Sequence, residues 1–369
     1  MRVLAVSTWY PTPAAPTAGV FVQKDTHVLA LDHDVVMVHL APSAAYASAP
    51  PDEAESGVRV IRVPFDARYP RLVVSARRRL AELARHADLV HTSAFSTLAA
   101  FVPARPGVPW VHTEHWSGIS APESVAWWWR VALPLAGRAL AAPDVVVPVC
   151  EYLATSVRPF RKGPVMVVPC LVDSPADTVL RPSAAEVLRL VSVGGLVPGK
   201  DPLMAVEAVA ELRRQGVPTR LTWVGDGPMR GAVIERRDAL GLTAEVELAG
   251  ALPPGGVVAR LAEADMFLLP TLHENFCVSA AEALRVGRPV VVGATGGQAE
   301  YVDGSVGALV SDQSPAAYAH AVLEVRRRLE GASAEDLARG VRERFSASAV
   351  RAGYQAVYAR AAEERAERR

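Results

Sequence analysis

Residues 274–282 read E-N-F-C-V-S-A-A-E, and this stretch decides the fold because it joins a strand pattern to a helix pattern. An apolar run at 266–269 precedes it, and an amphipathic helical pattern covers 278–286. We therefore expect Glu274 in a strand-to-helix loop, with Glu282 about two turns further on. Eight residues at about 3.6 per turn would return the two carboxylates to a similar face.

The main chain of this stretch predicts an anion site. The amides of residues 276–279 lie at the predicted helix N-terminus, where unpaired N–H groups and the helix dipole favour a group such as a pyrophosphate. One carboxylate could then hold sugar hydroxyls and the other a ribose diol. On spacing alone, two solvated glutamates flanking an amphipathic helix are the plainer interpretation, because E-x7-E arises often by accident.

The N-terminal half alternates short β-branched runs with longer helical patterns. Buried strands are predicted at 2–7, 34–40, 88–92, 109–113, 144–149 and 165–168. These runs are apolar on both faces, which is typical of parallel strands covered by helices. Amphipathic stretches such as 72–86 and 124–140 separate them, and this βαβ rhythm indicates a doubly wound sheet.

A break in the rhythm divides the chain. Residues 174–185 carry two prolines and no apolar period, which predicts a linker at 174–186. Beyond it, strands are predicted at 188–193, 220–224, 246–248, 266–269 and 289–292, and helices at 202–215, 228–240 and 278–286. The predicted fold class is therefore α/β, with Rossmann-like domains at 1–173 and 187–345 and a last helix at 346–369 packing back towards the first domain. Ligands of such sheets bind outside the carboxyl ends of the strands, so the site is expected in a cleft where the two sheets face each other.

Composition narrows the function classes. The 369 residues suit two domains, half are hydrophobic, and Lys+Arg equals Asp+Glu at 39 each, which gives no reason to expect a nucleic-acid partner. Cys150, Cys170 and Cys277 are isolated, so neither a disulfide framework nor a zinc knuckle is predicted. We expect a soluble cytoplasmic protein, since no signal-peptide pattern or bilayer-length apolar run is present. The richness in Ala, Val, Arg and Pro indicates a GC-rich bacterial genome.

Several motifs surround the opening stretch in a fixed order. Residues 271–307 contain S/T-x-x-E, an aromatic two residues later, E-A-x-x-x-G-x-P-V-V and a Gly-Gly turn. The matching positions are Glu274, Phe276, Glu282, Ala283, Gly287, Pro289, Val290, Val291, Gly296, Gly297 and Glu300. This segment resembles the donor-site signature of the GT-B glycosyltransferases of family 4.

Other pieces follow the family's order and extend the resemblance over nearly the whole chain. They are G-V-F at 19–21, T-E-H at 113–115, V-P-C-L-V-D at 168–173, V-G…K at 193–200, G-D-G-P at 225–228, V-E-L-A-G at 246–250 and A-D at 264–265. The resemblance implies a retaining enzyme that moves a hexose-type sugar from a UDP- or GDP-linked donor. The acceptor would be a hydroxyl of a glycan, a glycolipid or a secondary metabolite.

The resemblance also implies roles for single residues. Lys200 would neutralise the diphosphate leaving group, and Gly19 would let the backbone approach that diphosphate. Glu282 would accept hydrogen bonds from the ribose diol and Glu274 from sugar hydroxyls. His115 would contact the donor sugar or orient the attacking hydroxyl.

The remaining predicted contacts are weaker. The further donor-binding residues are Gly194, Gly250, Asn275, Phe276, Cys277 and Val278, and His91 and Trp116 are placed on the acceptor side. No metal and no cofactor are expected, because the nucleotide-sugar is itself a substrate. A metal at His112 and His115 is disfavoured, since residues three apart on a strand point to opposite faces.

Three residues depart from the family pattern. Gly195 stands where the family usually carries an Arg beside its Lys, so Lys200 alone would supply this charge to the diphosphate. Cys170 replaces an Asn and Cys277 replaces a frequent Gly. The first departure keeps open a catalytically silent sugar-nucleotide-binding protein, and a nucleotide-sugar epimerase or hydrolase on the same fold is a further alternative.

Two surface patterns also remain open. The three rings of Trp127, Trp128 and Trp129 cannot all face a core, so at least one is expected to be exposed or under a loop. They could stack on a sugar or touch a lipid surface, although packing is the plainer interpretation. The run 77–79 with Arg85 is either a solvated helix face or a weak peripheral contact with an anionic membrane.

Overall fold

The computed structural model describes residues 1–172 and 186–368. All but the last residue of the predicted linker 174–186 lies outside the described residues. The chain divides into unit 1, Met1–Leu171 with Ala347–Arg369, and unit 2, Val172–Ser346. Each unit is built on its own sheet.

Unit 1 contains a seven-stranded sheet of order β3-β4-β2-β1-β5-β6-β7. Its strands are β1 (Arg2–Ser7), β2 (Asp34–Ala41), β3 (Asp52–Glu55), β4 (Val58–Pro64), β5 (Leu89–Ser93), β6 (Trp110–Glu114) and β7 (Val145–Pro148). All neighbours pair in parallel except β3, which runs antiparallel to β4.

The strand predicted at 165–168 is wrong. The segment lies beside β7 but forms only a single bridge, between Val146 and Val165. The Met166 and Val168 amides donate to the Val146 and Pro148 carbonyls at 3.1 and 3.3 Å, but Pro148 on β7 has no N–H to donate to the Met166 carbonyl, and this interrupts the ladder.

The helices of unit 1 connect these strands. They are α1 (Val20–Leu29), α2 (Ser43–Ala47), α3 (Pro70–Ala84), α4 (Ser117–Ser120), α5 (Trp127–Ala136) and α6 (Glu151–Val157), with 3-10 helices at Phe95–Ala100, Pro122–Ser124, Gly137–Ala141 and Arg158–Phe160. Right-handed crossovers place helices on a face set by the direction of travel across the sheet. The connections β4 to β5, β5 to β6 and β6 to β7 all move the same way, so α3, the 3-10 helix Phe95–Ala100 and α5 cover one face. The connection β1 to β2 moves the opposite way and puts α1 on the other.

Unit 2 contains a six-stranded parallel sheet of order β10-β9-β8-β11-β12-β13. Its strands are β8 (Leu188–Val193), β9 (Thr219–Val224), β10 (Val246–Gly250), β11 (Met266–Leu269), β12 (Val290–Gly293) and β13 (Gly307–Val310). Its helices are α7 (Pro202–Arg214), α8 (Arg230–Ala239), α9 (Pro254–Glu263), α10 (Val278–Arg285), α11 (Pro315–Arg328) and α12 (Ala334–Arg344), with 3-10 helices at Pro198–Lys200 and Gly297–Glu300.

The last helix, α13 (Ala347–Glu367), belongs to the core of unit 1. Its buried side chains are Val350, Tyr354, Val357, Tyr358 and Ala361, which share one helical face and pack with strand and α1 residues. The Tyr354 hydroxyl also donates to Oδ2 of the buried Asp25 on α1 at 3.0 Å. The helix thus covers the same face of the sheet as α1.

Each sheet has one point where the strand order reverses. This point lies between β1 and β5 in unit 1 and between β8 and β11 in unit 2. The carboxyl edge at such a point is where doubly wound sheets bind ligands. The loops after β1, β5, β8 and β11 are therefore the structural candidates for a site.

Candidate functional site

In unit 2 the loops after β8 and β11 meet at the switch point. The Thr271 hydroxyl and the Leu272 amide both donate to the Gly199 carbonyl, each at 2.9 Å. Lys200 Nζ donates to Glu274 Oε1 across the same junction. The two predicted catalytic residues of unit 2, far apart in sequence, are thus in direct contact.

This pair is largely shielded from solvent. The side chains of Lys200 and Glu274 are 23% and 14% exposed. Burial lowers the pKa of Lys200, with the nearby Cys277 thiol acting in the opposite direction. Burial also raises the pKa of Cys277, so this thiol is protonated at neutral pH, and its effect on Lys200 applies only at the higher pH where the thiol ionises. An anion arriving here would meet an ammonium that already has one carboxylate partner.

The turn after β12 fixes the main chain of Glu274. Gly296 forms a bridge with Glu274, and the Gly297 amide donates to the Asn275 carbonyl at 2.7 Å. Gly296 has φ 138°, and a Cβ on it would lie 2.2 Å from the Glu274 carbonyl oxygen. Glycine is required here because two backbones approach closely, which explains the Gly-Gly turn of the sequence motif.

The side chain of Phe276 has a structural role. The Phe276 ring is buried against Tyr301 and Phe345, with centroids 5.5 and 4.8 Å away. The Tyr301 hydroxyl bonds the carbonyls of Phe276 and Cys277 at 2.9 and 2.7 Å. No spacing in the sequence signalled this tyrosine. Because the ring is buried, the predicted contact of Phe276 with the donor would have to be made by its main chain.

Cys277 occupies a position that favours glycine. It has φ 58° and immediately precedes α10, so it adopts the left-handed conformation at the helix N-cap. A non-glycine residue there costs about 1–2 kcal/mol. This cost gives a physical reason for the glycine that is frequent at this position in the family pattern.

The same-face argument for Glu274 and Glu282 does not hold. Helix α10 begins at Val278, so residues 274–277 are not helical and the 3.6-residue period covers only half of the interval. Glu282 is half-buried in the second turn of α10. The side chain of its N-cap residue Cys277 makes no capping hydrogen bond, and the predicted anion site at this N-terminus stays a prediction.

The glycines after β8, β9 and β10 differ in what they require. A Cβ on Gly225 would lie 2.0 Å from the Gly194 carbonyl oxygen, so these two loops touch. Gly250 has φ 72° and accepts a hydrogen bond from the Gly225 amide at 2.8 Å. Gly195 is different, because its Cβ would meet Asp226 O at 3.6 Å in ordinary contact and its φ is not positive. The structure therefore accommodates a Cβ at Gly195.

In unit 1, Gly19 and His115 are brought together. Gly19 has φ 73° and precedes α1, and a Cβ on it would lie 2.4 Å from the Trp9 carbonyl carbon. Glycine is thus required by the chain's own backbone, in addition to any ligand that approaches it. Two residues later, the Phe21 ring lies 4.3 Å from the ring of His115, which follows β6.

A buried acid fixes the turn that carries His115. Glu114 Oε1 accepts from the amides of His115 and Trp116 at 2.9 and 2.8 Å, and its Oε2 is 3.1 Å from His112 Nε2. Burial, followed by His112, lowers the pKa of His115 to about 3. The imidazole is therefore neutral at pH 7. Sequence reasoning missed the role of Glu114, although an acid between two histidines at a strand end was visible.

The two residues predicted on the acceptor side have different surroundings. Trp116 is half-buried and stacks on Phe95 with centroids 5.3 Å apart. His91 is buried, and its two ring nitrogens bond the hydroxyls of Thr113 and Tyr358 at 2.7 and 2.8 Å. This environment indicates a structural role for His91. Among the described residues, no cluster of three or more His, Cys, Asp or Glu side chains could hold a metal ion.

Comparison with known proteins places this geometry in a family. A model described as "Glycosyltransferase Family 4" matches residues 26–174, and one described as "Glycosyl transferases group 1" matches residues 188–327. The chain belongs to these glycosyltransferases. Together the two matches cover most of both units.

Two curated relatives and one solved structure extend the comparison. Over 144 residues the chain is 38% identical to the GDP-mannose-dependent alpha-(1-6)-phosphatidylinositol dimannoside mannosyltransferase of Mycobacterium tuberculosis, a match covering 39% of this chain and only 36% of that protein. It is 28% identical to the glycogen synthase of M. tuberculosis over 385 residues, or 94% of this chain and 90% of that one. Sucrose-phosphate synthase from Thermosynechococcus elongatus superposes with TM-score 0.77 and 20% identity over 97% of this chain and 98% of its own. The two parallel-sheet α/β units have the GT-B fold.

None of the helices in the described residues is long and apolar enough to cross a membrane.

Proposed function

We propose that this chain is a retaining glycosyltransferase that moves a hexose-type sugar from a UDP- or GDP-linked donor to an acceptor hydroxyl. Unit 2 would hold the donor and unit 1 the acceptor. The observation that carries the proposal is the contact between Lys200 and Glu274 at the switch point of unit 2, beside the N-terminus of α10. A cation, a carboxylate and a helix N-terminus are the groups that a diphosphate with an attached sugar needs.

The leaving group is the charged part of the reaction. The bond between the sugar C1 and the diphosphate oxygen breaks, C1 forms a bond to the acceptor oxygen, and the acceptor proton passes to the departing phosphate. Negative charge grows on the diphosphate, and Lys200 would stabilise it as a point charge in a partly dehydrated site. Main-chain amides at residues 276–278, with the open backbone of Gly194 and Gly250, would complete the phosphate and base contacts.

The carboxylates would bind hydroxyls rather than attack C1. Glu274 is ion-paired with Lys200 in this structure, which lowers its nucleophilicity and leaves its second oxygen to accept from sugar hydroxyls. Glu282, one turn inside α10, would accept from the ribose diol. Glu274 is therefore assigned to positioning and not to a covalent intermediate.

In unit 1 a neutral imidazole suits the acceptor side. With a pKa of about 3, His115 can orient an attacking hydroxyl or a sugar hydroxyl without repelling the oxocarbenium-like charge at C1. Glu114 holds its main chain in place, and Trp116 offers a ring beside it. Gly19 lies two residues before Phe21, whose ring packs on His115. The residue proposed to let the diphosphate approach and the residue proposed to orient a hydroxyl are therefore close together in unit 1.

Thermal unfolding in UDP, GDP and dTDP, with EDTA present, tests the donor half. A ligand at about 100 Kd adds roughly 2.7 kcal/mol to the folded state. A unit of this size shifts by about 2–4 °C per kcal/mol, so the cognate nucleotide should raise the melting temperature by roughly 5–10 °C. Lys200→Ala should remove most of that shift, and the control Lys162→Ala, an exposed lysine in unit 1, should keep it. A wild type that no nucleotide stabilises contradicts the proposal.

Gly195 favours one second candidate, a silent sugar-nucleotide-binding protein. Without the usual Arg, the diphosphate would meet Lys200 alone. Product analysis separates the two: the cognate nucleotide-sugar is incubated with acceptor mixtures, and release of nucleotide is compared with formation of glycosylated product. Stabilisation without turnover supports silent binding, and release of free sugar without an acceptor supports a hydrolase.

A further inference from the structure

Helix α5 carries an apolar face that unit 1 does not cover. Trp127 is 71% exposed, Trp128 50%, Val131 74% and Leu135 71%. Soluble chains rarely leave two indoles and two aliphatic side chains together in water, and such patches usually mark an interaction site. The prediction that at least one of the three tryptophan rings is exposed is confirmed, since only Trp129 turns inward.

The charges on α5 and the turn after it have one sign, and the exposed Glu123 lies on the 3-10 helix just before them. Arg130 and Arg138 are exposed on the same segment, and residues 124–143 contain no Asp or Glu. Apolar rings together with arginines fit the boundary between anionic headgroups and acyl chains, where indoles sit at the interface and basic side chains reach the phosphates. A protein partner with an acidic groove would satisfy the charge but would not account for two indoles beside exposed aliphatic side chains.

Helix α3 extends the basic surface on the same side of unit 1. It covers the same sheet face as α5, and both helices lie against the 3-10 helix Phe95–Ala100. Arg71, Arg78 and Arg85 are exposed on α3 or at its end, next to the exposed Val74. Arg77 is not available for this purpose, because its guanidinium donates to the carbonyls of Ala99 and Ala100 at 3.0 and 3.2 Å. Both helices thus carry exposed arginines and apolar side chains on the same side of unit 1, and the exposed acid of α3, Glu82, is paired with Arg79.

A chain of rings links this surface to the predicted acceptor side. Trp128 lies 4.9 Å from Trp129, and Trp129 lies 5.3 Å from Trp116. Trp116 directly follows His115 at the carboxyl edge of β6. An acceptor bound at His115 would therefore lie next to whatever the α5 face rests on.

We infer that the exposed face of α5, with the arginines of α3, docks on an anionic lipid bilayer, and that the acceptor is a lipid-anchored hydroxyl compound. The second part rests on the proposed function, and the first does not. The headgroup would reach Trp116 and His115 while its acyl chains stay in the bilayer beneath Trp127 and Trp128.

Vesicle flotation tests the docking, using the full chain with phosphatidylcholine vesicles that contain or lack phosphatidylglycerol. The wild type should float with the anionic vesicles, and Trp127→Ser/Trp128→Ser should lower the partition coefficient by roughly 100-fold, about tenfold per indole. Val131→Ser/Leu135→Ser gives an independent loss without touching an aromatic contact. Arg130→Gln/Arg138→Gln should weaken binding to the anionic vesicles only.

Leu31→Ser is the matched control. Leu31 is also exposed, at 63%, but it follows α1 on the opposite face of the sheet. The proposal requires Leu31→Ser to float like the wild type. Flotation that persists in both apolar double variants overturns the docking. A wild type that is a dimer, with apolar double variants that are monomers, also overturns it, because the occupant of the face is then a second copy of the chain.

Sugar incorporation tests the lipid acceptor separately. Radiolabel from UDP-glucose or GDP-mannose is followed into solvent-extractable and water-soluble products, with vesicles of mixed bacterial polar lipids and with soluble glycans. Label in the lipid phase that falls in Trp127→Ser/Trp128→Ser supports the inference. Label confined to water-soluble glycan overturns it. Absence of any nucleotide-induced stabilisation instead marks failure of the proposed function, and flotation is judged independently of it.

Discussion

Restoring a second cation at Gly195 is the sharpest test of the donor site. The family pattern places an arginine after the glycine that follows the first strand of this half, and this chain has Gly195 there. A Cβ would stand 3.6 Å from Asp226 O and 3.7 Å from Val197 Cγ1, which is ordinary contact, and the backbone φ is not positive. Gly195→Arg should therefore fold without strain in the loop after β8.

The expected gain follows from the charge that Lys200 now supplies alone. Lys200 is shared with Glu274, so part of its field is already neutralised. A hydrogen bond from a guanidinium to a phosphate contributes about 1.5–3 kcal/mol. At 1.4 kcal/mol per factor of ten, Gly195→Arg should tighten nucleoside diphosphate binding by roughly 10- to 100-fold.

Isothermal titration with the cognate nucleoside diphosphate measures this gain. Gly195→Ala separates the charge from the entropy lost by replacing a glycine, which contributes at most about 1 kcal/mol. Lys200→Ala/Gly195→Arg then shows whether the two cations act on the same phosphates. The reasoning is refuted when Gly195→Ala tightens binding as much as Gly195→Arg, or when Gly195→Arg weakens it.

Three further predictions concern unit 1. Gly19→Ala should destabilise unit 1 by clearly more than Gly57→Ala in urea melts. Both positions have positive φ, which costs an alanine about 1–2 kcal/mol, but only at Gly19 does the added Cβ also clash with backbone. Equal losses of stability would disprove the steric argument. Burial raises the pKa of Asp25 to about 7 from its usual 3.8, so the unfolded state loses this proton first and the free energy of unfolding should fall as pH rises from about 4 to 7. Asp25→Asn keeps a partner for the Tyr354 hydroxyl and should flatten that part of the stability profile; an unchanged pH slope would contradict the assignment. His115 titrates at about 3, so kcat/KM should show no break near pH 6.5 from this residue, and His115→Gln should lower kcat/KM by roughly 100-fold; a break near 6.5 that vanishes in the variant would show a charged imidazole.

The sequence predicted the parts of the fold that depend on local pattern. The strands at 2–7, 188–193 and 266–269 have the predicted bounds, because short runs dominated by buried apolar residues have few alternatives. It missed β3, where exposed polar residues at the sheet edge hide the strand period, and it missed β4, although most of that strand is buried between β3 and β2. It also missed α1, whose N-terminus is set by Gly19 against the Trp9 backbone, a contact that no local pattern contains.

The same division applies to the candidate site. Lys200 and Glu274 were found through motifs and do meet, since motif order reflects loops on one sheet edge. The interpretation of Glu274 and Glu282 failed because helix periodicity was extended over four residues that precede the helix. Glu114 and Tyr301 fix the loops that carry the candidate residues through hydrogen bonds to main-chain groups. Such contacts leave no signature in the spacing of residues along the sequence.

The contact between Lys200 and Glu274 bears on which ligand the site prefers. In the structure each group is the other's partner, and both are largely buried. A bare nucleoside diphosphate would take Lys200 away and leave the Glu274 carboxylate in a dehydrated place without compensation, which is costly. An intact nucleotide-sugar brings a diphosphate for Lys200 and hydroxyls for Glu274 together, so the exchange leaves neither charge alone. We infer that the pair favours the intact donor over the spent nucleotide, because only the donor compensates both halves of the ion pair that it opens.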